Sequence, residues 1–212
     1  MLVFSCSHSN SAVKYPDMVA DVDPFSIGSI SASFDRNFSS QVRVETVEVI
    51  FYPRENEVAL EFRLNMGQYR QLWKKEGRRL FIEAINRYKE DFENQRLTNK
   101  FSRTKRVYGR FKNRFQWKPL PVSATYRSSP VIELGYRFRD NSPYFTVYQN
   151  SAREESGNNR DIKESPDFPV YFTRAQAEEL ARLFDEAFLL SSVSGKGSSP
   201  AIDTDRDEYF QF

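Results

Sequence analysis

The sequence predicts a single α+β domain: a mostly antiparallel, aromatic-rich sheet packed against one long amphipathic helix, about 66–93, with a C-terminal helix, about 173–191. Three observations carry that expectation. Between Met66 and Glu93, Tyr69, Leu72, Trp73, Leu80, Ala84, Tyr88 and Phe92 recur at steps of three and four, which places them on one helical stripe. Val58, Leu60, Phe62 and Leu64 alternate with Glu57, Glu61 and Arg63, the period-two pattern of a strand with one buried face. Aromatic residues make up 15% of the chain, with 19 Phe and 11 Tyr, and such residues fit a pleated, half-buried surface.

Three parts are expected along the chain: a serine-rich tether or irregular segment over 1–40, the folded domain over 41–192, and a flexible acidic tail over 193–212. Within the first part, Ile27, Ile30 and Phe34 are spaced for a short strand. Order is expected to begin near Gln41. Val42 and Val44 have the opposite parity to Val47, Val49 and Phe51, which predicts a β-bulge near Glu45-Thr46. Pro53-Arg54-Glu55-Asn56 is a turn, closing a hairpin with the Val58–Leu64 strand. Asn65 and Gln68 are placed as a cap for the long helix, whose back carries Lys75, Arg78, Arg79, Lys89 and Glu93. Gly77 lies within the apolar stripe, where a glycine permits close backbone approach at a cost of about 1 kcal/mol in helix propensity.

Arg96 to Lys118 holds nine basic residues and no acidic one. Read at period two it is a long strand, with Val107, Phe111, Phe115 and Trp117 beneath and Arg106, Tyr108, Arg110, Lys112 and Arg114 above. Val122 to Tyr126 follows as a short edge segment after two prolines. Ile132 to Phe138 and Tyr144 to Tyr148 form a second hairpin about Asp140-Asn141, and 151–167 reads as an exposed loop. Phe168 to Phe172 is a last short strand. Thr173 and Gln176 form a capping box that opens the second helix, buried through Ala177, Leu180, Ala181, Phe184, Ala187 and Phe188.

Composition limits the chemistry. Net charge is +2, with 31 basic and 29 acidic residues, so no overall attraction to nucleic acid or anionic membrane follows. One cysteine and one histidine rule out an internal disulfide, a zinc site of several Cys and His ligands, and a Cys-x-x-Cys pair. No phosphate loop, dinucleotide glycine pattern, nucleophile elbow or zinc helix occurs. No cofactor or metal and no recognised enzymatic activity are expected, although carboxylate-only catalysis needs no motif and keeps an enzyme of unrecognised type as an alternative.

Leu2-Val3-Phe4-Ser5 precedes the lone Cys6, and Ser7, Ser9 and Ser11 follow it. This stretch resembles the end of a bacterial lipoprotein signal peptide, with Val3 at the aliphatic position, Ser5 at the small one and Phe4 where a small residue is usual. The resemblance implies a lipid on Cys6, a serine-rich tether, and a start codon upstream of Met1 or a trimmed leader, because the four-residue apolar run is shorter than the roughly 7–15 residues of a working leader. The expected function is then a non-catalytic lipoprotein of the bacterial cell envelope, facing the periplasm or the outside. Its folded domain would contact a partner protein, lipid or wall polymer.

A second expectation is a cytoplasmic nucleic-acid-binding module. Cations at spacing two on Arg106, Arg110, Lys112 and Arg114 would follow a phosphate backbone while Tyr108 stacks on a base. Contact of this basic strand with anionic lipid headgroups is a third use. Pairing of the same cations with Glu45, Glu48, Glu57 and Glu61 on the first hairpin would instead make the strand an ordinary solvated face.

Overall fold

The computed structural model describes residues 17–35, 42–64, 67–99, 107–121, 124–157 and 162–194. Cys6, Arg106, the Asn65 cap and the acidic tail lie outside these residues. Among the described residues ten strands form one sheet: β1 Phe25–Asp35, β2 Val42–Tyr52, β3 Glu57–Leu64, β4 Gly67–Lys74, β5 Gly109–Lys112, β6 Arg114–Pro119, β7 Tyr126–Ser128, β8 Val131–Arg139, β9 Ser142–Gln149 and β10 Phe168–Phe172. The helices are α1 Lys75–Glu93, α2 Arg174–Phe184 and α3 Glu186–Val193. Strand order is β5-β8-β9-β10-β1-β2-β3-β4-β6-β7, with antiparallel pairing throughout.

That order forces the sheet to curl. β5 and β6 stand first and ninth in the order, yet only Asn113 separates them in sequence. One residue spans about 7 Å between flanking Cα atoms, whereas eight strand spacings on a flat sheet would cover about 38 Å. The inner face consequently looks across at itself. Gln71 on β4 donates its Nε2 to Gln149 Oε1 on β9 at 2.9 Å, both side chains buried, although five spacings separate those strands along the sheet. Phe168 on β10 meets rings from four other strands in the same way: Phe34, Phe62, Tyr69 and Phe115, at centroid distances of 6.5, 5.7, 5.8 and 5.9 Å.

The expected single helix over 66–93 is corrected by this arrangement. Its first half is the strand β4, and only Lys75 onward is helical. Tyr69, Gln71 and Trp73 face inward while Gln68, Arg70 and Leu72 face out, and all but Tyr69 are buried. A strand covered on both sides loses the alternation that identifies strands, and the steps between Tyr69, Leu72 and Trp73 then imitate a helix. Gln68 is a strand residue paired with Arg63, not part of a helix cap. The buried face of α1 is Phe81, Ala84, Ile85 and Tyr88, while Phe92 is 39% exposed. Arg78, expected on the charged back, is fully buried.

Four further expectations change. β2 pairs with β1 without a break at Glu45-Thr46, and the register shift falls on β1 between Ser26 and Gly28. Val44 simply points outward, 62% exposed, while Val47, Val49 and Phe51 point in. β1 lies in the middle of the sheet, well before residue 41. The C-terminal helix is divided at Asp185, which leaves α2 in extended conformation and accepts from Phe188 N to cap α3. The loop 151–167 carries its own pairing, with Glu154 N bonded to Lys163 O, Ser165 N to Ala152 O, and Glu155 N to Arg127 O on β7.

Other elements form as read. The first hairpin turns at Pro53–Asn56, with Asn56 at φ 51°. Asp140 and Asn141, at φ 46° and 60°, make the two-residue β8–β9 connection, the positive-φ pair that a type I′ hairpin turn requires. Thr173 and Gln176 close the capping box of α2 reciprocally. Gly77 on α1 touches Phe111 on β5, since a Cβ there would lie 2.7 Å from Phe111 Cε2. One core fills the curl, with Trp73, Phe81 and Phe184 in mutual ring contact at its centre and Phe145 against Phe81.

Candidate functional site

The basic strand does not survive as one surface. Its 109–118 part is two strands, with β5 joined to β8 and β6 joined to β4 and β7. Tyr108, expected to face outward, packs its ring against Tyr88 and Tyr136 and donates its hydroxyl to Asp91 Oδ2 at 2.9 Å. Arg110 is ion-paired to Glu133 at 3.1 Å. Arg114 pairs with the buried Glu57. Lys112 is exposed. Cross-strand ion pairing therefore accounts for Arg110 and Arg114, and the two arginines border different clefts.

Arg114 lines a cleft of about 540 Å³ by the β2–β3 turn and the start of α1, with Arg54, Lys74, Lys75 and Arg79 but also Asp17, Glu55, Glu57 and Glu76. The signs nearly cancel. Arg110 adjoins a second cleft of about 280 Å³ on the outer face of β8, β9 and β10, because its partner Glu133 forms part of that wall.

The second cleft follows from the hairpin register. The tight Asp140-Asn141 turn sets Arg137 opposite Tyr144, Gly135 opposite Thr146, and Glu133 opposite Tyr148. The middle pair is small and the outer pairs are large, so a trough runs between them. β10 extends the second and third rows, placing Tyr171 beside Thr146 and Pro169 beside Tyr148. Val107 and Asn150 close the ends.

Tyr148, Asn150 and Arg137 are each held from behind. Tyr148 donates its hydroxyl to Asp167 Oδ2 at 2.7 Å. Asn150 Nδ2 donates to Val131 O at 3.0 Å. Arg137 Nη1 donates to Tyr171 OH at 2.9 Å, and Tyr171 OH donates to Asp35 Oδ2 at 2.9 Å. Arg139 also binds Asp35 and sits 4.6 Å from the Tyr171 ring centroid. Burial, and then the bond to Asp35, raise the Tyr171 phenol above its ordinary value, so it stays neutral and fixes Arg137 in place. Glu133 is paired with Arg110, whereas Arg137, 3.9 Å from Asp35, shares that carboxylate with Arg139.

Among the described residues no helix is long and apolar enough to cross a membrane, and no group of three or more His, Cys, Asp or Glu is placed to hold a metal ion. The family model described as "Uncharacterised Treponema protein" matches residues 24–191, from the residue before β1 into α3. A protein of Treponema pallidum (strain Nichols), described as "Uncharacterized protein", is 21% identical over 209 residues, covering 98% of this chain and 72% of the relative. No solved structure matches.

Proposed function

We propose that this chain, which belongs to the uncharacterised Treponema protein family, is a non-catalytic binding module of the bacterial cell envelope, held to the membrane by a lipid on Cys6. The folded domain receives its ligand in the cleft over β8, β9 and β10. The observation that carries this reading is the trough between the Glu133–Tyr148 and Arg137–Tyr144 rows, in which Glu133, Tyr148 and Arg137 are held by partners outside the trough. Fixed side chains around a concave, half-polar surface are what a pre-formed ligand site needs. Binding is favoured over catalysis because, among the described residues, Glu133 is the one carboxylate lining this cleft and is already ion-paired, whereas carboxylate chemistry uses a pair of acids held in different protonation states.

The anchoring half rests on Leu2 to Ser7 and the serines that follow. A diacylated cysteine with a polar tether would keep the domain at the membrane surface, free to reach a partner protein, lipid or wall polymer. Labelling the native host with radioactive palmitate checks it: incorporation is expected in the wild-type protein and is abolished by Cys6→Ala. Label that persists in the Cys6→Ala protein, or is absent from both, contradicts the anchor.

A further inference from the structure

We infer that the ligand of the cleft over β8, β9 and β10 is an extended, acidic peptide segment of another protein, which lies along β8 beyond Leu134 and sets a carboxylate on Arg137. The inference rests on the reading of that cleft as a ligand site and names what enters it.

The backbone of β8 is fully used on one side only. β9 pairs with Ile132 through Arg139, whereas β5 pairs with Val131 through Leu134 and goes no further. Asn150 N bonds Val131 O at 3.0 Å. Bonded pairs alternate along an antiparallel ladder, so Glu133, Gly135, Arg137 and Arg139 spend their backbone groups on β9. Those of Tyr136 and Phe138 point the other way, and among the described residues no backbone group bonds to them. The cleft opens at this place: Val107, which precedes β5, lines it together with Gly135, Tyr136 and Arg137. A strand edge beside a cleft takes an extended peptide by main-chain bonds.

Charge at the edge selects the peptide. Arg110 on β5 stands opposite Glu133 and pairs with it at 3.1 Å. Further along the same outer face Gly135 has no side chain, and Arg137 comes next, beyond the end of β5. Its side chain is 36% exposed and lies 3.9 Å from Asp35, a carboxylate that also serves Arg139. Nη1 is held by Tyr171 OH, which leaves Nε and Nη2, the planar fork that binds a carboxylate through two parallel bonds. A strand on the line of β5 would repeat the Arg110–Glu133 ion pair with the signs reversed. The chain's own sequence is unsuited to that place. Counting back along the β5 register sets Arg106 opposite Arg137, and like charges directly opposite are destabilising. The residues flanking the acid would stand beside Tyr136 and Phe138, whose rings belong to the core face, so apolar flanks fit.

The test is a ¹⁵N–¹H correlation titration of the full chain, with amide hydrogen exchange, using end-blocked pentapeptides. Thr-Val-Glu-Val-Thr is expected to shift the Gly135, Tyr136 and Phe138 amides and to slow exchange at Tyr136 and Phe138. Replacing its Glu by Gln, N-methylating both of its Val residues, or making Arg137→Gln in the protein should each weaken binding at least about tenfold. Should Arg137→Gln lose its spectral dispersion, the peptide series on the wild-type chain decides the matter. A Gln peptide that binds as tightly as the Glu peptide overturns the acidic ligand, and an N-methylated one that does so overturns strand addition. If a galacturonate trimer moves these amides and the Glu peptide does not, the peptide is overturned while the cleft stands as a site. Should neither move them, cleft and peptide fall together.

Discussion

Arg78 Nη2 donates to Glu186 Oε2 at 3.0 Å, joining the first turn of α1 to the first turn of α3. The same guanidinium donates to Asn56 O at 2.7 Å, Asn56 Oδ1 at 2.7 Å and Trp73 O at 3.2 Å. One buried arginine thus ties the β2–β3 turn, the end of β4 and the C-terminal helices together. Its side chain is 1% exposed, so substitution leaves buried acceptors unmatched. Arg78→Met is expected to cost about 3–5 kcal/mol, read as a lowered urea midpoint. Glu186, whose side chain is 33% exposed, should matter less: Glu186→Gln keeps a hydrogen-bonding group and loses only the charge.

Acid should weaken the same junction. Burial pushes the Glu186 carboxyl up, but bonds from Lys75 and Asn56 and the charge of Arg78 outweigh it and hold the group below its ordinary 4.5. A depressed carboxylate adds stability that is present above its unfolded value and is lost as pH falls through the folded one. Thermal melts taken from neutral pH down through that range should show wild-type stability dropping more steeply than that of Glu186→Gln. Parallel profiles would remove Glu186 from the account.

Gly77 offers a test of sign. In an ordinary exposed helix, Gly→Ala stabilises by about 1 kcal/mol. Here the added Cβ would meet Phe111 Cε2 at 2.7 Å, and overpacking costs about 1–3 kcal/mol. Gly77→Ala is therefore expected to destabilise, and pairing it with Phe111→Leu should recover most of the loss. A stabilised single variant would mean that α1 and β5 do not touch at this point.

Much of the fold was legible because it is local. The β8–β9 hairpin, the α2 capping box and the β3 alternation each rest on residues within a few positions of one another. The cleft was half legible: once Asp140 and Asn141 are read as a two-residue turn, the Glu133–Tyr148, Gly135–Thr146 and Arg137–Tyr144 rows follow by counting. The contribution of β10 was hidden, because Pro169 reaches that row through a pairing that no local pattern specifies. β4 was misread because burial on both faces erased its period. The break at Asn113 was invisible for a related reason: the alternation of Phe111, Phe115 and Trp117 runs on unchanged through a residue whose N–H leaves the ladder for Pro130 O at 2.9 Å.

The phase of β2 can be checked with two substitutions. Val44→Asp, at a position 62% exposed, should stay within about 0.5 kcal/mol of wild type. Val47→Asp, at 1% exposed, should cost more than about 4 kcal/mol, since it buries an unpaired charge. Equal penalties would restore a bulge that turns Val44 inward.

The sheet curls until β4 faces β9, which leaves the cleft over β8, β9 and β10 on its outer face. Gln71 and Gln149 report on it directly, because on an open sheet five strand spacings would hold them about 24 Å apart. A nuclear Overhauser measurement from the Gln71 side-chain amide protons decides the matter. Cross-peaks to the Gln149 side chain, from amide protons that exchange slowly with water, are predicted. Cross-peaks only to the neighbouring strands β3 and β6, with rapid exchange, would show an open sheet and contradict the fold described.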